Sequence, residues 1–171
     1  MSKARILANL SGSVLQVVQG TQGTRAESTS TSYATTNLSQ AITPKISGSK
    51  VLITISIPFT AIRDGNSFAD VFKPRLLKDG SVLVDLVGGS SNAAYGIQQN
   101  SDDNNQSGGL FSIFNYSYMD TTTGTSAITY SVDFASRIAT NGKLVVNGIG
   151  NPVNSHQTNV TSTITLTEVA A

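Results

Sequence analysis

Apolar and polar side chains alternate along most of this chain. Residues 160–169 place Val160, Ile164 and Leu166 on one face and Thr161, Thr163, Thr165 and Thr167 on the other. A period of two marks a half-buried strand, and β-branched threonine suits its wet face. So strongly patterned a strand is expected inside a sheet, which means the fold closes only when it arrives. Residues 50–59 alternate as strictly, with Val51, Ile53, Ile55 and Ile57 facing one way. They predict a central strand that runs up to Pro58. Residues 110–119 set Phe114, Tyr116 and Tyr118 against Phe111 and Ile113, and Ile128, Tyr130, Val132 and Phe134 repeat the pattern. Shorter runs at 14–18, 29–35, 38–42 and 144–146 also read as strands.

Turn signals separate these runs. Asp79-Gly80 supplies the positive φ angles of a tight hairpin, with Val82, Val84 and Leu86 on the returning arm. Phe68, Phe72 and Leu76 are spaced as on a helix, but Pro74 among them favours extended chain. Residues 88–92 and 100–109 predict a long exposed loop around a short strand at 95–98, and 147–159 a second loop through His156. The expectation is all-β: an antiparallel β-sandwich, jelly-roll-like, of about nine or ten strands. Residues 1–13 stand apart as an apolar and basic arm before a single β-sandwich domain at 14–171. A helix that short is marginal alone, so the arm is expected to dock on its own domain or on a neighbour.

Composition narrows the partners. Charged residues make up 12% of the 171, about half the usual share, and Ser, Thr, Asn and Gln fill the gap. Such a surface suits flush contact between copies, because little charge has to be desolvated. The net charge is +1 and the eleven Lys and Arg are scattered, so neither nucleic acid nor an acidic membrane is an expected partner. With no cysteine there is no disulfide, thiolate nucleophile or Cys-ligated zinc. Residues 1–10 lack the long apolar core of a signal peptide or membrane helix.

A search for chemistry points away from an enzyme and from any cofactor. The single histidine, His156, cannot build a multi-histidine metal site, and its Pro/Asn-rich loop favours local hydrogen bonding over a catalytic triad. Asp64, Asp79 and Asp120 sit in predicted turns, where aspartate has a backbone role. Asp102-Asp103-Asn104-Asn105 offers oxygen ligands but lacks the spacing and bidentate Glu of a calcium loop, so a solvated loop tip is the simpler reading. Gly88-Gly89 and Gly108-Gly109 lack the Lys-Ser/Thr and helix of a phosphate loop. Tyr116, Tyr118 and Tyr130 offer stacking faces for a sugar, or else serve as core and subunit contacts.

The motifs Val14-Leu-Gln-Val-Val18, Thr31-Ser-Tyr33, Ile42-Thr-Pro44, Gly48-Ser-Lys-Val-Leu-Ile53, Arg75-Leu-Leu-Lys-Asp-Gly80, Tyr118-Met-Asp120, Ser126-Ala-Ile-Thr-Tyr130 and Ser162-Thr-Ile-Thr-Leu-Thr-Glu-Val169 occur in this order. Together they resemble a family of tailed-phage virion proteins, frequent in phages of cyanobacteria, over about residues 14–169. The resemblance implies a β-sandwich module, found at tail-fibre tips and as small stand-alone virion proteins, and it implies homotrimers. The chain shows no shaft before the domain, only the arm, which reaches at most about 45 Å when fully extended. That favours a capsid cement or decoration protein on the outer surface of the shell, partnered by itself and the major capsid protein. Lys3, Arg5, Ile6, Leu7 and Leu10 would anchor the arm, and low-charge Thr/Ser faces would meet between copies. The alternative is a receptor-binding tail tip for a host surface glycan, with Tyr95, Asp102, Asp103 and His156 as candidate contacts in the loops.

Overall fold

The computed structural model describes residues 12–63, 72–86, 109–136, 142–149 and 158–171, and the regular structure among them is entirely β. In chain order the strands are β1 (Val14–Gln22), β2 (Ala26–Ser28), β3 (Ala34–Ile42), β4 (Lys50–Arg63), β5 (Phe72–Lys78), β6 (Ser81–Asp85), β7 (Gly109–Thr121), β8 (Ile128–Ser136), β9 (Gly142–Val146), β10 (Gly148–Ile149), β11 (Thr158–Asn159) and β12 (Ser162–Val169). The long strands form two antiparallel sheets packed face to face. One runs β1-β12-β4-β7 and the other β3-β8-β5-β6. Successive long strands alternate between sheets except across the β5–β6 hairpin, which is the winding of a jelly roll. The strands beyond the nine or ten expected are the short pieces β2, β10 and β11, which flank this frame.

The alternation explains the layers. Val51, Ile53, Ile55 and Ile57 of β4, Ile164 and Leu166 of β12, and Tyr130, Val132 and Phe134 of β8 all point into the core. Each such side chain contributes about 1.5–3 kcal/mol by burial, so a slip of one residue in any strand would forfeit several at once. Phe72 lies at the centre of the aromatic packing, stacked on Phe59 at 4.6 Å and edge-on to Phe114 at 5.8 Å. The extended chain expected through Pro74 is present as β5, and Asp79 and Gly80 take φ of 49° and 79° in the hairpin turn.

Three details depart from the sequence reading. β4 does not stop at Pro58 but continues to Arg63. Along one side β4 pairs with β12 up to Ser56 and with β9 from Phe59, so the missing proline N–H falls at the seam between two partners. The carbonyl on that same side still accepts the Asn147 N–H at 3.1 Å. Residues 29–33 are not strand, because Ser28 Oγ and Ser30 Oγ accept the N–H groups of Ser30 and Ser32 and fold the backbone locally. Asp120 is not a turn residue. It lies next to the last residue of β7 facing inward, where its Oδ2 accepts hydrogen bonds from both Lys78 Nζ and Tyr130 Oη at 2.6 Å. Burial first, and then the Asp120 hydrogen bond, hold the Tyr130 phenol above its ordinary pKa.

Candidate interaction face

The two outer faces of the sandwich differ in charge. On the β3-β8-β5-β6 sheet, Arg75 grips Asp133 through two parallel hydrogen bonds of 2.7 and 2.8 Å, and its guanidinium lies 3.8 Å from the ring centroid of Tyr33. The Asp133 hydrogen bond raises the Arg75 pKa further, so the guanidinium stays charged. Asp85 pairs in register with Arg75, and Lys73 stands opposite Ala135.

The other sheet presents a different pattern. Its registers align the outward positions of β1, β12, β4 and β7 in rows across the sheet. They read Val17–Thr167–Leu52–Met119, then Gln19–Thr165–Thr54–Ser117, then Thr21–Thr163–Ser56–Asn115. Beyond these, Ile113 pairs with Pro58 and Phe111 with Thr60. At the opposite rim lie Val14, Val169, Lys50 and Thr121, and Lys50 is the one charged residue at any of these outward positions. Six large hydrophobic side chains are exposed among the described residues. Val14, Val17, Phe111, Ile113 and Met119 lie on this face, and Val82 alone does not. Where the sheet passes to β9 and β2, Glu27 is neutralised by ion pairs with Arg25 and Lys143.

Several contacts hold this face rigid. Gln19 Nε2 donates to Thr165 Oγ1 at 2.9 Å across the β1–β12 pair. Behind the face, Glu168 is fully buried on the inner side of β12. It accepts hydrogen bonds from Ser49 Oγ and Gln16 Nε2 at 2.6 Å and from the N–H groups of Lys45 and Ile46 at 2.8 and 3.4 Å. Burial alone would raise its pKa, but the bonds from Ser49, Gln16, Lys45 and Ile46 together outweigh burial and hold the carboxyl below its ordinary value. At the other end buried Asn147 accepts from Ser162 Oγ and donates its Nδ2 to the Thr24 carbonyl at 3.0 Å.

The anchoring residues expected in the arm, Lys3, Arg5, Ile6, Leu7 and Leu10, and the expected loop contacts, Tyr95, Asp102, Asp103 and His156, lie outside the described residues. Of the tyrosines, Tyr130 is buried, whereas Tyr116 and Tyr118 are half-buried and pack on the core. Among the described residues no group of three or more His, Asp or Glu could hold a metal ion. A polar depression of about 360 Å³ lies between the β5–β6 turn and the loop after β7, lined by Lys78, Asp79, Thr123 and Ser126 among others. The threonines of β12 were visible in the sequence as one wet face, but the apolar residues beside them, Val17, Leu52 and Met119, looked unrelated. Glu168 does carry a signal in the sequence: it shares its parity with Ile164 and Leu166, which puts a carboxylate inside. Comparison with known protein families and with curated proteins finds no match for the chain.

Proposed function

We propose that this is a non-enzymatic virion structural protein of a tailed phage, a cement or decoration protein on the outer surface of the capsid. Its partners are further copies of itself, as the homotrimer the resemblance implies, and the major capsid protein. The observation that carries this reading is the sidedness of the sandwich: one outer face bears the Arg75–Asp133 ion pair with Lys73 and Asp85, whereas the rows across β1, β12, β4 and β7 on the other carry Lys50 as their one charge and five exposed apolar side chains. Association costs least where little charge is desolvated, so the second face suits lasting contact with protein. Jelly rolls recur in viral capsid and lectin domains, a fold-level analogy that agrees with this reading and does not carry it. The protein would stabilise a shell by mass action, binding the assembled form and not its separated subunits.

Counting copies in purified particles tests the proposal. A copy number comparable with that of the major capsid protein supports it, and absence from particles overturns it. Deleting residues 2–10 is expected to leave a folded domain that no longer decorates heads, as read by sedimentation of heads with added protein. Full binding by the truncated protein would remove the arm from the mechanism. The second reading, a tail tip that recognises a host glycan, draws on the polar depression beside Lys78 and Asp79. A copy number matching that of tail fibres would favour it.

A further inference from the structure

We infer that the outer face of the β1-β12-β4-β7 sheet is a two-fold self-association surface, on which a second copy of this chain packs face to face. The inference rests on reading the protein as an assembling structural module, and it adds the surface and the symmetry.

Three properties of the face favour an identical partner. The first is charge. An identical copy brings identical charges, so a self-complementary face must carry few, and here Lys50 stands alone at the rim. The opposite outer face, with Lys73, Arg75, Asp85 and Asp133, would lay like charges against each other in many orientations. The second property is layout. Inside the rim of Val14, Val169, Lys50 and Thr121, the face runs from an apolar row (Val17, Leu52, Met119) through two polar rows to an apolar patch (Ile113, Phe111). That order is nearly the same read in either direction. A two-fold axis that runs across the strands through its centre lays Met119 against Ile113 and the polar rows against each other. The hydroxyls and amides of Gln19, Thr54, Ser117 and Asn115 then meet groups that can both donate and accept. The third property is size. Four strands about 4.8 Å apart over about eight residues, with Ile113 and Phe111 at the β7 edge, give roughly 550 Å² of projected area, because Pro58 and Thr60 of β4 are covered. That is about two-thirds of the roughly 800 Å² per partner of a standard interface. A three-fold cluster needs two different surfaces that fit each other, so the trimer implied by the resemblance would use other parts of the molecule and leave this face to join clusters.

The chain has no cysteine, so a single introduced thiol reports position cleanly. Thr54, exposed on β4 in a central polar row, lies close to any two-fold axis through the face. T54C is expected to cross-link into dimers with a short bis-maleimide, whereas A41C, exposed on β3 of the other sheet, is not. In sedimentation equilibrium I113E and M119E are each expected to weaken self-association at least about tenfold, or about 1.4 kcal/mol, with unchanged thermal unfolding. A wild-type protein that stays monomeric at its highest soluble concentration overturns the inference. So does cross-linking of A41C as efficient as that of T54C, or association of both charge variants at wild-type strength. Particle copy number tests the virion reading separately. A two-fold dimer from a protein absent from particles would sink that reading and leave this face standing.

Discussion

Glu168 is a buried anion held entirely by neutral donors. Its partners come from β1 and from the segment between β3 and β4, so one carboxylate ties two parts of the chain to β12. Because its folded pKa lies below the unfolded value, its contribution is complete above the ordinary glutamate range, near pH 4.3, and is lost as pH falls through the folded value. Glu168→Gln, which replaces one acceptor oxygen with a donor facing other donors, is expected to cost about 1–3 kcal/mol at neutral pH. It should also flatten the loss of stability on acidification. Urea unfolding of both proteins between pH 7 and pH 3 measures this, and parallel pH profiles would show that another group controls the acid limb.

Among the strands, legibility followed burial. Strands β4, β7, β8 and β12 were readable because each buries one face, and burial imposes a period of two that sequence displays directly. Residues 29–35, Thr-Ser-Thr-Ser-Tyr-Ala-Thr, offer β-branched and aromatic residues without apolar alternation, and such a run records nothing about burial. There the serine side chains bind nearby backbone and make bends. The interaction face was illegible for another reason. Its rows join β1, β12, β4 and β7, and no property of the chain order gives their register. Close approach between elements was equally hidden. A methyl group at Gly20 of β1 would come within 2.6 Å of the Ser39 carbonyl oxygen on β3, where the two sheets meet at a corner. Gly20→Ala is expected to destabilise by about 1–3 kcal/mol through overpacking, measured as a lowered denaturation midpoint with an unchanged slope. A midpoint equal to wild type would mean that β1 and β3 can part at no cost.

For the molecule as a whole, the position of β12 dominates. It lies between β1 and β4, bonded to both along its length, and supplies Ile164, Leu166 and Glu168 to the interior. A chain ending at Thr161 is therefore expected to lack cooperative thermal unfolding and native near-ultraviolet circular dichroism, where loss of an edge strand would only lower stability. A truncated chain with a sharp transition would mean that β1 and β4 can close on each other.

The same strand links completion of the fold to completion of the outer face. Translation delivers β12 after every other strand of the two sheets, so a ribosome that stalls or stops early releases a chain with a vacant slot between β1 and β4. Such a chain also lacks Thr163, Thr165 and Thr167, a whole column of the outer face. A defective copy cannot present the surface by which intact copies would recognise one another. Were copies to join through this face, a chain without β12 would be excluded by its neighbours.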